Sequence, residues 1–183
     1  MNQTDIFLAA KDKIAAQIAL SRSAEDSSHA ENTMHWVKQL RPDADELLLI
    51  AGFGHDIERA LADRYKHTMF ASYDEYKHAH ATRSGQLVAT IMKEVGYDEA
   101  SADKVAHIIA EGEFNSEDPD VQLLCDADSI SFFDNNLSYY LKDKGEADTK
   151  RKIRFMYDRV SARAQQHIRT VLRLKPELNL LNI

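Results

Sequence analysis

The chain has 183 residues with six glycines and three prolines, so it is long enough to bury one hydrophobic core and has few residues that interrupt helices. Its formal net charge of −7 argues against binding a nucleic-acid polymer through the phosphate backbone, because that mode needs a basic surface. No segment approaches the roughly 20 apolar residues of a membrane span. Cys125 is the only cysteine, which excludes an intramolecular disulfide. We expect a cytoplasmic protein that does not contact membranes.

Helical periodicity covers the first half of the chain. Apolar residues recur at intervals of three and four from Ile6 to Ile18 and again from Met34 to Leu40, which predicts two amphipathic helices. A third helix is predicted to begin at Asp43 and to run through Arg64. Its apolar block LLLIAGF is too continuous for an exposed helix, so we expect it to lie in the core.

The second half is predicted to be helical as well. A helix from Tyr73 ends near Gly96, a residue type that favours the end of a helix, and another spans about 99–111. Pro119 fits the first turn of a further helix. The run KDKGEAD then interrupts the pattern before a final helix that ends near Arg173. The sequence therefore predicts one all-α domain, a helical bundle formed by the whole chain.

A histidine and an aspartate stand side by side at the end of the apolar block, as His55 and Asp56. An ionised carboxylate in a dry interior needs a partner, and a metal ion is the most economical partner for an adjacent imidazole. His29, in the preceding helix, and Asp126 and Asp128, in the apolar segment LLCDADSISFF, extend the set. Two imidazoles with two carboxylates suit a divalent ion such as Mn, Fe, Co, Ni or Zn, with Mg as a further candidate. A lone buried histidine would instead indicate a hydrogen-bonded structural role.

This ordered set resembles the H…HD…D signature of the HD-domain superfamily of metal-dependent, all-helical phosphohydrolases. The segments HDIER and HAHATRSG are similar to that superfamily's HDIG(K/R) and His-x3-Ser/Ala-Gly/Ala segments. The resemblance spans about 26–135, and the C-terminal helices over 136–183 follow it. It implies hydrolysis of a small phosphomonoester or phosphodiester, with a nucleotide-like substrate.

The resemblance also implies which residues hold the ion. Relatives usually read Ala-Asp-x-Leu where this chain has Asp128, so the implied metal ligands are His29, His55, Asp56 and Asp128. Residues two positions apart on a helix do not face the same way. Asp126 is therefore expected to have a supporting or structural role.

The pattern for a second metal is incomplete. Relatives with two metals usually supply a further histidine after the helix that ends near Glu111, where this chain reads AEGEFN. Glu111 or Glu113 are the available substitutes. His80 resembles an additional family histidine that binds a second metal or the substrate phosphate, and His107 is expected to be structural. One divalent ion per chain is favoured over two.

The residues after the His-Asp pair are candidates for catalysis and substrate binding. Arg59 stands where many relatives carry a cation that contacts the substrate phosphate, and a guanidinium suits two phosphate oxygens; the alternative is an exposed helix arginine. Glu58 is either a proton-transfer group or a solvated surface carboxylate. By resemblance, Asp56 or Asp128 orients the attacking water. The charge that develops on the phosphate would be offset by Arg59, His80 and Lys77.

Two other functions fit the same signature. One is a non-catalytic module that senses a nucleotide at a degenerate site, although the complete ligand set argues against it. The other is a di-iron oxygenase, which some relatives are, although the shortage of further histidine ligands argues against it. Both alternatives remain open at the level of the sequence.

Two C-terminal segments have alternative roles. The basic run KRKIRFMYDR is predicted to be a solvated helix face, with anion binding as the alternative. The tail LKPELNLLNI is predicted to dock either on the core or on a second copy in a homodimer, through Leu178, Leu180, Leu181 and Ile183.

Overall fold

The computed structural model describes residues 2–182, and these residues form α-helices with short 3-10 and π-helical segments and no β-strand. This confirms the predicted all-α class. The helices are α1 (Gln3–Ile18), α2 (Glu25–Leu40), α3 (Glu46–Gly54), α4 (Tyr73–Val95), α5 (Glu99–Glu111), α6 (Pro119–Ser131), α7 (Leu137–Asp158) and α8 (Ala162–Leu174). None of the helices in this part of the chain combines the length and the apolar character that crossing a membrane requires.

Local signals fix the ends of several helices. The Ser72 hydroxyl accepts a hydrogen bond from the backbone N–H of Glu75 at the start of α4, and Gly96 ends this helix with φ of 108°. That left-handed conformation favours glycine, because glycine has no Cβ that would clash with the backbone. Pro119 occupies the first turn of α6, behind an Asp118 cap. The predicted roles of Gly96 and Pro119 are confirmed.

The predicted continuous helix from Asp43 through Arg64 is wrong. Helix α3 ends at Gly54, Asp56 has a non-helical backbone with φ −105° and ψ 13°, and a 3-10 helix follows over Ile57–Ala60. Tertiary packing overrides helical propensity here, because the turn buries both Ile57 and Glu58. The apolar block itself is buried as predicted, with Ile50 at 1% exposure.

The single final helix predicted after KDKGEAD is also wrong. The interruption predicted at KDKGEAD is present at Gly145, whose φ of 75° and ψ of 174° are non-helical, so α7 consists of two helical segments joined at a kink. A further break, which the sequence pattern did not predict, comes at residues 159–161, where Ser161 caps the start of α8. A π-helical turn, Phe132–Asn136, joins α6 to α7. The break at 159–161 matters for the site because it turns Arg159 into the interior, where it is 6% exposed.

A close helix contact positions α4. A Cβ built on Gly85 would lie 2.5 Å from the carbonyl oxygen of Ala106 in α5, so only glycine permits the two helices to approach this closely. This contact fixes the part of α4 that carries Lys77 and His80. The glycine is therefore part of the scaffold of the site.

The C-terminal tail docks on the core of its own chain. Leu178 is 7% exposed, and Leu180 and Leu181 are partly buried against the core. Ile183 lies outside the described residues. A homodimer stays a prediction, but these three leucines already have an intramolecular partner.

Candidate metal centre

The predicted ligands converge from three segments of the fold. His29 comes from α2, His55 and Asp56 from the turn after α3, and Asp128 from α6. His29 Nε2 and His55 Nε2 lie 3.0 and 3.4 Å from Asp128 Oδ1. Both imidazole nitrogens also lie 3.8 Å from Asp56 Oδ2. The structure thus brings the four residues of the predicted ligand set together.

The spacing of these atoms fits a single divalent ion. Ligand atoms at about 2.1 Å from one ion lie roughly 3.0 to 3.4 Å apart in tetrahedral or octahedral geometry. One donor atom from each of His29, His55 and Asp128 lies within 4.8 Å of the others. This group can therefore hold a metal ion with small movements of its side chains.

Supporting contacts orient both imidazoles toward this group. His29 Nδ1 lies 2.9 Å from the Ser131 hydroxyl, and His55 Nδ1 lies 3.0 Å from the Gly52 carbonyl oxygen. Such contacts on Nδ1 leave Nε2 as the metal-binding atom. His55 Nε2 is fully buried without a hydrogen-bond partner among the described residues. A buried polar atom without a hydrogen bond destabilises the folded protein, and a metal ion bound to Nε2 would remove this penalty.

The electrostatics keep the carboxylates ionised. Burial alone would raise the pKa of Asp128, but Arg159 and the two histidines hold it well below its usual value. The pKa of Asp56 is likewise well below its usual value, because Arg59 and the nearby histidines outweigh burial. Burial would lower the pKa of His55, but Asp56 and Asp128 raise it to about 9. The centre therefore has a net attraction for positive charge.

Arg159 is a site residue that the sequence did not reveal. Its guanidinium donates to Asp128 Oδ2, to Glu113 Oε2 at 2.9 Å and to the Ser129 hydroxyl at 2.9 Å. Asp128 therefore presents Oδ1 to the histidines and Oδ2 to Arg159. The only available signal was the basic run KRKIRFMYDR, which does not single out its last arginine.

A second group of histidine and carboxylate side chains lies beside the group formed by His29, His55 and Asp128. One donor atom from each of Asp56, His80 and Glu113 lies within 4.8 Å of the others. Both nitrogens of His80 already contact carboxylates, with Nε2 at 2.8 Å from Asp56 Oδ1 and Nδ1 at 2.8 Å from Glu58 Oε2. His80 therefore orients Asp56.

Cations of the protein neutralise this second group. Glu113 contacts the Lys77 ammonium through Oε1 and the Arg159 guanidinium through Oε2. Burial would raise the pKa of Glu113, but these two cations lower it. Of the two alternatives near the end of α5, Glu113 reaches the site and Glu111 is exposed. An ion placed here would have to displace Lys77 or Arg159.

Glu58 and Arg59, which lie two and three positions after Asp56, differ in their surroundings. Glu58 is 1% exposed, contacts His80 and accepts a hydrogen bond from the Tyr65 N–H, so the expectation of a solvated carboxylate is wrong. The Arg59 side chain is 42% exposed and donates to Asp56 Oδ2 at 2.8 Å. It borders the cavity over the metal centre. Arg59 is thus placed to contact a ligand, and Glu58 supports His80 from behind.

A cavity of about 160 Å³ opens over the centre. Its lining includes two carboxylates, Asp56 and Asp128, and two lysines, Lys77 and Lys152. The Lys152 ammonium lies 5.7 Å from the centroid of the Phe132 ring, and it has no carboxylate within 4.0 Å among the described side chains. Burial, together with nearby Lys77 and Arg159, lowers its pKa to about 7.

The remaining candidates lie outside the centre. Asp126 accepts hydrogen bonds from the Ser161 N–H at 2.9 Å and from Gln122 at 2.8 Å. It therefore fixes the start of α8, in agreement with the expected structural role. The His107 side chain is 60% exposed, with Nε2 4.0 Å from Asp118. Neither residue borders the cavity.

Comparison with known proteins identifies a family without a described activity. Residues 7–181 match the family model described as Domain of unknown function (DUF4202). No curated protein and no solved structure matches the chain. The matched region contains all the residues of both groups of histidine and carboxylate side chains. Since the match covers nearly the whole sequence, the chain belongs to the DUF4202 family.

Proposed function

We propose that this protein is a metal-dependent phosphohydrolase that acts on a small, nucleotide-like phosphomonoester or phosphodiester. The observation that carries the proposal is the position of Lys152. Its ammonium lines the same cavity as the metal-ligand set and lacks a carboxylate partner among the described side chains. Burial and the nearby cations lower the pKa of this amine to about 7, and a bound anion would favour its protonated form, so its position beside a cation-binding centre favours an anionic ligand that contacts both.

The charge of the cavity supports a phosphate ligand. Three basic side chains, Arg59, Lys77 and Lys152, and two carboxylates, Asp56 and Asp128, line it. A divalent ion would add further positive charge, so the loaded cavity would attract a dianion. Cations held at fixed positions also stabilise charge that develops on a transferring phosphoryl group.

The chemistry follows from the contacts of the chain's own residues. When bound, a divalent ion would polarise a phosphoryl oxygen and make hydroxide available near neutral pH. Arg59, Lys77 and Lys152 would bind the phosphate oxygens. His80, held by Glu58, fixes Oδ1 of Asp56 and so keeps Oδ2 turned toward the histidines. In this assignment Glu58 is a positioning residue.

Aromatic rings support a nucleotide-like substrate. Tyr73, Tyr76, Phe132 and Tyr140 all line the cavity. Such rings favour contact with a flat group, because stacked and edge-on arrangements of π-systems are attractive. A phosphate attached to a planar base would use both the cations and the rings.

A phosphate-release screen tests the proposal. The metal-loaded protein would be assayed with nucleoside monophosphates, sugar phosphates and phosphodiesters. We expect Lys152→Met to lower kcat/KM about 100-fold while metal content is unchanged. The matched control is Lys150→Met on the same helix, whose side chain pairs with Glu146 and should be neutral. Asp56→Ala should lose metal and activity together.

Two outcomes would contradict the proposal. Turnover that survives in Asp56→Ala would exclude this centre as the active site. Nucleotide binding without phosphate release, under each of Mn, Fe, Co, Ni, Zn and Mg, would favour the non-catalytic sensor. The di-iron oxygenase is disfavoured because two cations of the protein contact Glu113, where a second iron ion would need a ligand.

The cytoplasmic location stays a prediction.

A further inference from the structure

We propose that a basic groove beside the metal centre binds a second phosphate group of the substrate. This inference rests on the proposed function and specifies its substrate class. The basic groove is a depression of about 750 Å³ whose cationic side chains are Arg22, Arg59, Arg64, Lys142 and Lys144. It predicts a small molecule with a phosphate in the metal centre and another in the groove.

The groove adjoins the cavity over the metal centre. Arg59, Asn136 and Tyr140 line both. Arg59 contacts Asp56 Oδ2 through one guanidinium nitrogen, so it stands between the ligand set and the groove. A molecule bound at the centre can therefore extend past Arg59 into the groove.

The volumes indicate that the substrate must extend in this way. Sites for small organic ligands are typically about 300 to 1,000 Å³, whereas the cavity over the metal centre is about 160 Å³. This is enough for a phosphoryl group and part of its attached group. The rest of a nucleotide-sized substrate would lie in the basic groove.

The charge of the groove determines what it would bind. Five cations and only two carboxylates, Glu25 and Asp143, line it, in a chain whose net charge is −7. Asp143 pairs with Lys144 at 2.8 Å, and the Glu25 carboxylate accepts a hydrogen bond from the Ser23 hydroxyl.

Three of the cations are left without a carboxylate. Arg22, Arg64 and Lys142 have none within 4.0 Å among the described side chains. Unpaired cations that line one groove next to a phosphate site favour a second phosphate, since guanidinium and ammonium groups bind phosphate oxygens strongly.

Binding measurements on the metal-loaded protein test this inference, with phosphorothioate probes because these are hydrolysed slowly. The probes are the phosphorothioate forms of nucleoside 5′-monophosphates, 5′-diphosphates and 3′,5′-bisphosphates of the four common bases, titrated by calorimetry. We expect a second phosphate to tighten binding about tenfold or more. Comparing the 5′-diphosphate with the 3′,5′-bisphosphate shows whether the second phosphate is adjacent to the first or across the sugar.

The variant R64A/K142A should reduce this gain to about twofold or less, while its affinity for the monophosphate is unchanged. The matched control is K38A/R173A, two exposed cations outside the groove, which should keep the full gain. Equal affinity of the wild type for all three probes, or a gain that survives in R64A/K142A, would overturn the inference. The phosphate-release screen is independent of these outcomes, so a failed groove leaves the proposed hydrolysis standing.

Discussion

Two groups of histidine and carboxylate side chains lie next to each other in this protein, and they differ in what neutralises them. In the first group, formed by His29, His55 and Asp128, His55 Nε2 is buried without a hydrogen-bond partner among the described residues. In the second, formed by Asp56, His80 and Glu113, both nitrogens of His80 contact carboxylates. Both oxygens of Glu113 contact cations of the protein.

The comparison shows that residue types alone do not define a metal site. Lys77 and Arg159 contact both oxygens of Glu113 in the second group, whereas in the first group Arg159 contacts only Oδ2 of Asp128 and leaves Oδ1 to the histidines and a metal ion. A buried carboxylate needs a compensating charge, and a side chain of the protein can provide it permanently. We therefore expect one metal ion per chain, bound by the first group together with Asp56.

The largest effect is expected from removing the cation that both groups share. Arg159→Met leaves Asp128 and Glu113 buried with one cation fewer, and breaking a buried pair in this way costs about 3 to 5 kcal/mol. The free energy of unfolding should fall by that amount in urea denaturation of the metal-free protein. Arg163→Met, at an exposed arginine in α8, is the control. A loss below about 1 kcal/mol would show that Arg159 does not compensate both carboxylates.

A smaller effect is expected from the contact that orients His29. Ser131→Ala removes the hydroxyl that lies 2.9 Å from Nδ1, and loss of such a supporting contact lowers metal affinity about 10- to 100-fold. Competition with a chelator of known affinity measures the change. Ser138→Ala, at an exposed serine of α7, should have no effect. Unchanged affinity in Ser131→Ala would mean that His29 does not bind the metal through Nε2.

A third effect is a pH dependence of the stability of the metal-free protein. Burial opposes the protonation of His55, but Asp56 and Asp128 raise its pKa to about 9. A raised folded pKa stabilises the fold below the unfolded value of about 6.5, and this contribution is lost as pH rises to about 9. Urea denaturation at several pH values across this window should show the decline. His55→Gln should reduce the slope, and an unaltered slope would contradict this assignment.

Much of the fold and of the first group could be predicted because their signals are local. Gly96 and Pro119 mark helix ends by their own backbone preferences. The pair His55-Asp56 and the residue Asp128 stand out because they interrupt apolar helices. The resemblance to the H…HD…D signature then added His29 to this set. The structure brings the four side chains together.

The rest depends on tertiary contacts that have no local signal. Arg159 reaches Asp128 only because α7 ends and α8 begins around it, and the sequence pattern predicted one continuous helix there. A solvated surface carboxylate was one of the two alternatives that the sequence left open for Glu58. Since the chain turns after Gly54, Glu58 packs under His80 and becomes buried.

The most direct test is the number of metal ions per chain. The wild type would be dialysed against Mn²⁺ to equilibrium and analysed for metal, with His55→Ala and the exposed control His107→Ala treated identically. We expect about one ion per chain in the wild type and in His107→Ala, and almost none in His55→Ala, since a metal ligand is lost. Two ions per chain would show that Lys77 and Arg159 do not exclude a second metal. No bound metal, or full occupancy in His55→Ala, would contradict the central claim that this group is a metal centre.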